Sequence, residues 1–562
     1  MATQPTTEIQ TNAERSASWL PMVIIALAQV LMVFNVSSLQ VSVEGIISNF
    51  GTPATTIGTA IVTYSLVVAG LIMLGAKVGA LYGSRRVFRA MILLFGAAMT
   101  LMAFSRGIVT MIIAQVIAGI AAAALVPSLV VLIADNYKGT QQEKALGWLG
   151  GAQAMGIVLA FLIAGAFSTW IGWRFTFGFL GLLALVIFWL SNRLSPVGGQ
   201  SKVAIDWTGA VLAAGAAFLI SFGANNLTKW GVLLATPESP FSVFDMSPAP
   251  IAIVAGIFLG QGFFAWSRKR QASGMPPLLA LEVLDTPRER SAISSMFFFG
   301  ALGSAITFLV PLYIQVVQGR TGLQTAFAMI PFSIASFAAA VLVVRLYGRL
   351  SPRDIARYAF LVMAAGVGLL GVVIRNEWST FMVIIGMTLA GLGEGALVSL
   401  LFNVLVSASP KALAGDVGSL RGTTNNLAAG VGTALAGALV VGLLSSSVHR
   451  ELVHNPKIPD ELKEQINLDS ISFISNRQLS TALSRKTEAS EQVEEAVRIN
   501  TNARLQALKI SFFTLAGLAL LAFFPAGGLP SYVRGELPGS SASISASAKK
   551  KPIILPDRSG SP

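Results

Sequence analysis

Fourteen long apolar segments follow one another along this chain, and they constrain its fold more than any other feature of the sequence. A helix that crosses the hydrocarbon core of a bilayer needs about 20 apolar residues. The segments are continuous rather than alternating, so they predict helices and not the strands of a membrane β-barrel. The expected spans cover residues 19–42, 55–81, 87–105, 108–134, 145–169, 174–192, 206–225, 250–267, 291–316, 322–346, 354–374, 379–407, 419–443 and 510–530.

The spans are grouped as six, two and six, which predicts an all-α integral membrane protein with two six-helix bundles and an inserted helix pair. Repeated bundles that rock about a central site are a common transporter design. We expect a cytoplasmic N-terminal segment and a disordered cytoplasmic tail at the two ends. The predicted domains are the segment 1–18, the N-terminal bundle 19–193, the inserted pair with its loops 194–290, the C-terminal bundle 291–530 and the tail 531–562.

Basic residues mark one side of the predicted membrane protein. The formal net charge is +13, and most lysines and arginines of the short connections fall on one set of alternate loops. Cytoplasmic loops carry such an excess as an orientation signal, so the charge indicates topology rather than nucleic-acid binding. The even number of spans then places both termini in the cytoplasm, with the chain in the cytoplasmic (inner) membrane. The first eighteen residues lack the basic start and short apolar core of a cleaved signal peptide.

Composition also excludes several chemistries. The chain has no cysteine, which excludes disulfides and thiolate metal sites. Its two histidines, His449 and His454, fall in a polar connection, so a histidine-based metal centre or a serine–histidine triad inside the membrane is excluded. No Gly-x-x-x-x-Gly-Lys-Ser/Thr loop is present, which excludes nucleotide-driven pumping by this chain. We therefore expect neither an enzyme nor a cofactor or metal site.

The longest polar connection, residues 446–508, is expected on the outer side of the membrane. It carries charges of both signs, and Val493, Val497 and Leu505 recur at helical spacing. This pattern predicts an amphipathic helix that leads into the last span. A solvated cap with no ligand role is the interpretation that we favour for this connection.

Several short motifs match one transporter family in their order and spacing. Asp206 to Gly209 reads Asp-Trp-Thr-Gly at the start of the seventh span, and Pro311 to Gly319 reads Pro-Leu-Tyr-Ile-Gln-Val-Val-Gln-Gly. The other matches are Trp173-Arg174, Pro331, Gly391-Leu-Gly393 and the Gly415-x-x-Gly-Ser419 segment. Over about residues 19–530 the chain resembles the fourteen-helix drug:proton antiporter branch of the major facilitator superfamily.

The resemblance implies a secondary active transporter that works by alternating access. It further implies export of a small organic or amphipathic compound in exchange for protons, by a monomer whose partners are the small-molecule substrate, protons and the lipid bilayer. Two alternatives stay open. One is a facilitator or importer with no proton coupling, and the other is a membrane sensor or scaffold that keeps the transporter fold without transporting.

The short basic hairpin between the second and third spans departs from the family pattern. That pattern reads roughly Gly-x-Leu-x-Asp-Arg-x-Gly-Arg-Arg. Here Gly83, Arg85 and Arg86 are kept, while Ala80-Leu81 replace the Asp-Arg pair. Glycine suits the tight turn, and the arginines suit the cytoplasmic headgroups. We therefore predict a gating hairpin at Gly83, Arg85 and Arg86 that lacks the acidic latch of the family.

Neutral residues replace other charged positions of the resemblance. Asn35 stands where the first span of the family carries aspartate, and Gln115 and Asn425 stand at two arginine positions. Such amides can contact a substrate, or they can link helices through hydrogen bonds, which is the interpretation that we favour. The ninth span, which by the resemblance lines the central cavity, adds phenylalanines that face either the cavity or lipid. The predicted substrate-cavity residues are Asn35, Gln40, Gln115, Gln153, Phe297, Phe308, Gln315 and Asn425.

One carboxylate remains in the middle of an apolar span. Glu394 lies in the segment Gly391-Leu-Gly-Glu-Gly-Ala, and an ionised carboxylate at such a depth costs at least about 2.5 kcal/mol on insertion scales. It is therefore expected to be protonated, to face water or to pair with a cation. Because an acid inside the membrane can take up and release protons, Glu394 is the predicted proton-coupling residue. The alternative is a neutral glutamic acid that only packs.

Overall fold

The computed structural model describes residues 18–52, 55–137, 139–195, 204–237, 239–284, 286–346, 349–375, 380–408, 414–453, 476, 479–480 and 490–531. Within these ranges the regular structure is helical apart from two isolated β-bridges. The α-helices are α1 (Leu20–Val41), α2 (Val43–Phe50), α3 (Thr55–Tyr82), α4 (Ser84–Ala103), α5 (Ile108–Asn136), α6 (Gly139–Trp170), α7 (Trp173–Leu190), α8 (Trp207–Trp230), α9 (Pro248–Ala272), α10 (Pro287–Leu312), α11 (Gly322–Leu342), α12 (Pro352–Val373), α13 (Thr380–Ala408), α14 (Ala414–Val453), α15 (Ser490–Leu521) and α16 (Phe523–Ala526).

Fourteen helices in the described part of the chain are long and apolar enough to cross a membrane. They coincide with the fourteen spans expected from the sequence, which confirms the all-α membrane fold. Several of them begin at residues that favour helix initiation. Thr286 and Glu289 form a capping box around Pro287 at the start of α10, and Thr321 and Gln324 form another at the start of α11.

Several helix ends lie a few residues from the sequence-based boundaries, and three of these differences concern the basic hairpin, the histidines and the long polar connection. α4 begins at Ser84 rather than at residue 87, so Arg85 and Arg86 lie in its first turn and not in a loop. α14 continues to Val453, so His449 is helical rather than part of a polar connection, while His454 lies outside the described residues. α15 starts at Ser490, which confirms the helix expected before the last span. The additional turns of α14 and α15 are polar. Hydropathy identifies a helix only where that helix lies in lipid, so it could not indicate these turns.

The packing of the helices forms two groups. In the first, α1 lies against α6 and α7, α5 lies between α3 and α4, and α4 packs on α7. In the second, α10 packs on α14, α13 lies between α11 and α12, and α12 packs on α15. The two groups meet along α3 and α14 and along α6 and α11. The arrangement matches the predicted two bundles.

Asp206 holds the inserted pair α8 and α9 together at one end. Its carboxylate accepts a hydrogen bond from the backbone N–H of Gly209 (2.9 Å), which caps α8, and another from the indole N–H of Trp266 in α9 (3.0 Å). The Arg270 guanidinium is 3.8 Å away from the same carboxylate. A Cβ on Gly209 would lie 2.4 Å from a carboxylate oxygen of Asp206, which explains why glycine follows aspartate in this motif.

The inserted pair contacts both groups of helices through α8. Gly70 of α3 approaches Ala214 of α8 so closely that a Cβ on it would lie 3.3 Å from the Ala214 Cα. The Asn225 side-chain amide of α8 donates to the Thr59 hydroxyl of α3 at 3.5 Å. On the other side, α8 packs on α14 near Gly430. α8 therefore lies over the line at which α3 and α14 meet.

Candidate functional site

Glu394 lies on α13 between glycines that bring neighbouring helices close. A Cβ on Gly391 would lie 2.3 Å from the carbonyl oxygen of Phe332, and one on Gly393 would lie 2.6 Å from that of Ala359. The first contact is with α11 and the second with α12. Small residues at such crossings allow close backbone packing inside a membrane. The backbone of α13 is therefore fixed on two sides of Glu394.

The Glu394 side chain points to a third neighbour, α10. One of its carboxyl oxygens lies 2.6 Å from the place that a Cβ would take on Gly303. Leu392, which points to the opposite side of α13, is exposed on the outside of the protein. Glu394 itself is half-buried. The carboxyl group thus faces the interior of the helix group, where intramembrane carboxylates with a function are found.

Asn425 lies beside the same part of α10. Its side-chain oxygen is 3.4 Å from the place that a Cβ would take on Gly300, which lies one turn before Gly303. Three residues along a helix correspond to about 4.5 Å. The two glycines of α10 therefore bring together a carboxyl group from α13 and an amide from α14. We call Glu394, Asn425, Gly300 and Gly303 the glycine-faced site.

Asn35 and Gln115 form a second polar pair, in the other helix group. The Asn35 amide nitrogen donates to the Gln115 oxygen at 2.9 Å, and the Gln115 amide nitrogen donates to the Asn35 oxygen at 3.2 Å. Both side chains are completely buried between α1 and α5. The reciprocal bonds support the interpretation that these amides link helices, and a contact of either with substrate stays a prediction.

The remaining cavity candidates lie in different places. Phe308 is buried, with its ring about 3.1 Å from the Cβ position of Gly58 in α3, and it fills the space between α3, α10 and α14. Phe297 is half-buried near the start of α10, and Gln153 is half-buried in α6. The structure therefore does not bring all predicted cavity residues to one point. Their roles as substrate contacts stay predictions.

Gln315 joins the two helix groups at the predicted outer end. Its side-chain amide donates to the backbone oxygen of Gln40 at 2.9 Å and accepts from the backbone N–H of Glu44 at 3.2 Å. It lies in a π-helical turn, residues Tyr313–Val317, that follows Pro311. Proline removes a backbone donor, and such π-helical turns re-aim side chains. Gln40 takes part through its backbone oxygen, while its own side chain is buried.

A second set of contacts lies at the same end, between α6 and α11. The backbone N–H of Leu323 donates to the Thr169 hydroxyl at 3.0 Å. Gly322 approaches α1 as well, because a Cβ there would lie 2.6 Å from the carbonyl oxygen of Val41. These contacts and the Gln315 bonds connect the predicted N-terminal and C-terminal bundles at their outer ends.

The basic hairpin is attached within its own helix group. Gly83 has φ +89°, a backbone conformation that favours glycine, and it lets α4 begin directly after α3. The Arg85 guanidinium donates to the backbone oxygen of Asn192 at 2.8 Å, just after α7, and that of Arg89 lies 4.8 Å from the centre of the Phe188 ring. Arg86 is exposed. Both contacts tie the hairpin to α7, and its gating role stays a prediction.

Arg85 and Arg89 of the hairpin contact their own helix group, whereas Lys77 links the two helix groups. Its ammonium nitrogen lies 3.7 Å from a carboxylate oxygen of Asp416 at the start of α14. In the family pattern the acidic latch stands at the position of Ala80, where this chain has no acid. The Lys77–Asp416 ion pair lies one helical turn from Ala80, and its acidic residue belongs to the other helix group. The acidic residue in the Gly415-x-x-Gly-Ser419 motif was the available signal, but its partner could not be identified from the sequence.

Two arginines, the half-buried Arg421 and the buried Arg504, were also not predicted as parts of the site. The Arg421 guanidinium on α14 stacks on the Phe402 ring of α13, 4.0 Å from the ring centre, and does not pair with Glu394. Arg504 on α15 is fully buried, and it donates to the backbone oxygen of Val316 (3.4 Å) in the π-helical turn and to the Asn476 side chain. Arg504 thus attaches the polar extension of α15 to the outer end of α10.

The fold and these sites define a helical membrane transporter. Two packed helix groups meet at a line of contacts, and the polar side chains described above link helices or face the interior of a helix group. The chain belongs to the Major Facilitator Superfamily, whose family model matches residues 25–433.

Curated relatives are transporters and resistance proteins. The chain is 25% identical over 444 residues to a probable actinorhodin transporter of Streptomyces coelicolor. The matched region covers 76% of this chain and 73% of that protein. It is 25% identical to a puromycin resistance protein of Streptomyces alboniger (63% and 67% covered). It is 24% identical to the multidrug resistance protein Stp of Mycobacterium tuberculosis (72% of each covered).

Solved structures of the same fold include transporters of several kinds. A bacterial homologue of the human lysosomal transporter Spinster matches with a TM-score of 0.59 and 13% identity, over 91% of this chain and 98% of that one. An auto-inhibited POT family peptide transporter matches with a TM-score of 0.56 and 15% identity, over 92% and 98%. At these identities the likeness concerns the fold alone.

Proposed function

We propose that this transporter exports a small organic, amphipathic compound from the cell in exchange for protons, and that Glu394 carries the proton. The N-terminal bundle (19–193) and the C-terminal bundle (291–530) rock against each other about a central site, and the inserted pair (194–290) is a separate element. The chain lies in the cytoplasmic membrane with both termini in the cytoplasm, in agreement with the distribution of its basic residues.

The observation that carries the proposal is the contact between Glu394 and Gly303. Next to a glycine face, an ionised carboxylate finds few groups that replace its lost hydrogen bonds to water. A protonated carboxyl group packs there at a far lower cost in free energy. Protonation therefore favours close packing of α10 on α13. Loss of the proton favours an arrangement in which water reaches the carboxylate. This difference converts a proton gradient into a preference between two packings.

Asn425 adds a neutral hydrogen-bonding group beside the same stretch of α10. An amide at this place can accept a hydrogen bond from a substrate or from a protonated group without a further charge in the membrane. Phe297 lies one turn before Gly300 on α10 and is half-buried. An apolar aromatic surface with a few polar groups suits an amphipathic organic molecule.

The names of the relatives support an organic substrate. One is called an actinorhodin transporter, one a puromycin resistance protein and one a multidrug resistance protein. Resistance to a compound that acts inside the cell is achieved by moving it outward. We therefore assign the outward direction to this chain as part of the proposal.

Transport into inverted membrane vesicles tests the proposal. Vesicles that are acid inside and carry the parent protein accumulate the substrate, and substrate addition dissipates the pH gradient. Ethidium, radiolabelled puromycin and radiolabelled lincomycin serve as probes. Glu394→Gln keeps the shape and neutrality of a protonated carboxyl group, so it is expected to bind the probe but to lose accumulation that depends on the gradient.

The matched control is Glu491→Gln at the start of α15, which removes a carboxylate at the predicted outer surface. It is expected to transport like the parent. If Glu394→Gln accumulates the probe as well as the parent does, proton coupling does not pass through this carboxyl group. If the probe moves only in the opposite direction, the chain is an importer.

A facilitator without proton coupling is the second candidate, and one observation favours it. Asn35 and Gln115 occupy positions at which the resemblance places an aspartate and an arginine, and they satisfy each other as a buried neutral pair. In this case the probe equilibrates across the vesicle membrane at the same final level with and without an imposed gradient.

A further inference from the structure

In its described residues, 231–237 and 239–247, the connection between α8 and α9 folds into a hairpin at the predicted outer end of the inserted pair. The backbone N–H of Ser247 donates to the Leu233 oxygen at 2.8 Å, and that of Ala235 donates to the Asp245 oxygen at 2.9 Å. At its base the Thr236 N–H donates to the Trp230 oxygen at 3.1 Å. The hairpin is thus an ordered element and not a loose connection.

The tip of the hairpin is a two-residue turn with an unfavourable backbone. Val243 and Met246 exchange two backbone hydrogen bonds (3.2 and 3.0 Å), and the residues between them, Phe244 and Asp245, have φ values of +52° and +59°. This conformation is natural for glycine or asparagine and costs free energy for phenylalanine. The turn nevertheless places Phe244 at its outermost point, where 93% of the residue is exposed.

The exposed side chains of the hairpin are mainly large and apolar. Leu233 is 74% exposed, and it is joined by further exposed residues along both arms. These are Val232, Leu234, Phe241, Val243 and Met246. Such a concentration of exposed apolar side chains on one small element marks a contact with a membrane or another protein. No lysine or arginine occurs between residues 231 and 247.

The position of the hairpin next to the membrane-spanning helices indicates that its partner is the lipid bilayer. The hairpin follows Trp230 at the end of α8 and precedes Pro248 at the start of α9, so both ends are held at a membrane surface. α9 begins directly after the hairpin and also exposes large apolar side chains, among them Val254 and Phe258. Tryptophan at a span end is typical of the bilayer interface. The same lipids that cover α9 are therefore adjacent to the hairpin.

We propose that this hairpin inserts into the outer leaflet of the bilayer, with Phe244 and Leu233 at the boundary between headgroups and acyl chains. Interfacial amphipathic helices insert about 5–10 Å into that boundary, and we expect a similar depth for the hairpin. The apolar environment offsets the unfavourable turn at Phe244. The insertion holds the outer end of α8 and α9 at a fixed depth beside the line at which α3 and α14 meet.

Depth-dependent quenching tests the insertion, because the chain has no cysteine and a single introduced one can be labelled. Phe244→Cys and Leu233→Cys are labelled with an environment-sensitive NBD dye in proteoliposomes of phosphatidylcholine and phosphatidylglycerol. Phe258→Cys on the lipid-facing side of α9 and Glu491→Cys at the polar start of α15 serve as references for lipid and for water. The purified protein is used at full length.

The hairpin labels are expected to emit at shorter wavelength than the Glu491→Cys label. They are expected to be quenched by phosphatidylcholine that carries a nitroxide near its headgroup, and several-fold less by iodide than the Glu491→Cys label. Iodide quenching equal to that reference would overturn the proposal. A blue-shifted emission that neither quencher reaches would also overturn it, since a second copy of the protein would then cover the tip.

Discussion

Asn35 and Gln115 exchange two side-chain hydrogen bonds between α1 and α5, at 2.9 and 3.2 Å, and both residues are fully buried. Each amide donates one bond and accepts one, so the pair carries no charge. In a membrane protein such a link fixes helix packing without the cost of an ion. Its neutrality is the feature that distinguishes this chain most clearly from the family pattern to which it is similar.

We predict that breaking this pair destabilises the protein modestly. Asn35→Leu and Gln115→Leu each leave one buried amide without its partner, whereas the double substitution removes both. Hydrogen bonds inside membrane bundles average about 0.6 kcal/mol, with a maximum near 1.7. Thermal unfolding in detergent, followed by tryptophan fluorescence, should give lower midpoints for the single variants. The double variant should unfold at a higher temperature than the sum of the single losses indicates.

A charged version of the same pair makes a sharper test. Asn35→Asp alone places a carboxylate in a fully buried position, at a cost of about 2.5–3.5 kcal/mol on insertion scales, and should lower the unfolding temperature strongly. Adding Gln115→Arg should recover part of the loss, because the carboxylate then has a partner. If the double variant is no more stable than Asn35→Asp, the two positions do not interact as the structure describes.

Gly303 is predicted to be required for the action of Glu394. In Gly303→Ala the new methyl carbon would lie 2.6 Å from a Glu394 carboxyl oxygen, so this side chain must move. We expect gradient-dependent accumulation to fall toward the level of Glu394→Gln, with little change in the amount of folded protein. Gly517→Ala is the control, because a Cβ there meets no atom within 4 Å. Transport by Gly303→Ala that equals the control would show that the contact is not used.

Much of the fold could be predicted from the sequence, because a bilayer imposes one length and one composition on every helix that crosses it. The helix toward which the Glu394 side chain points was harder to predict from the sequence. Gly391 and Gly395 lie four residues apart and mark one packed face of α13, but the sequence could identify neither α11 as the partner of that face nor α10 as the neighbour of Glu394. The structure assigns each of these glycines to a neighbouring helix.

Other features of the site could not be predicted from local patterns. Lys77 and Asp416 belong to different helix groups, and each alone is a charged residue near the end of a span. The π-helical turn that aims Gln315 at α1 and α2 follows Pro311, but a proline inside a span is also compatible with a simple kink. The burial of Arg504 depends on a polar helix outside the membrane, where hydropathy gives no signal.

The Lys77–Asp416 pair is predicted to control how often the predicted cytoplasmic ends of α3 and α14 separate. The two side chains are only 25% and 20% exposed, so removal of one partner leaves the other charge largely buried without its counter-charge. In the cysteine-free chain, Ile72→Cys places a thiol against Gly422 in the interface between these helices. Adding Lys77→Ala should raise the rate at which a membrane-impermeant maleimide labels this thiol from the cytoplasmic side.

Charge exchange provides the control for this prediction. Lys77→Asp with Asp416→Lys restores an ion pair of reversed direction and should return the labelling rate toward that of Ile72→Cys alone. Arg193→Ala removes an exposed charge from the same predicted end of the protein, outside the hairpin, and should leave the rate unchanged. Equal acceleration by Lys77→Ala and Arg193→Ala would indicate a general effect of surface charge and not a specific link.

Asp206 is predicted to be the residue that holds the inserted pair in place. Asp206→Ala removes the cap of α8 and the acceptor for Trp266, and it leaves Arg270 without its carboxylate. Loss of a helix N-cap costs about 0.5–2 kcal/mol, and loss of the hydrogen bond from the Trp266 indole adds to this cost.

Two further variants test the role of the Asp206 carboxylate. Asp206→Asn keeps an oxygen for the cap but not the charge, so its unfolding temperature should lie between those of the parent and Asp206→Ala. Gly209→Ala, whose methyl group would lie 2.4 Å from an Asp206 oxygen, should displace the same carboxylate and unfold near Asp206→Ala. Thermal midpoints in detergent measure the order of these variants, and a Gly209→Ala protein as stable as the parent would contradict it.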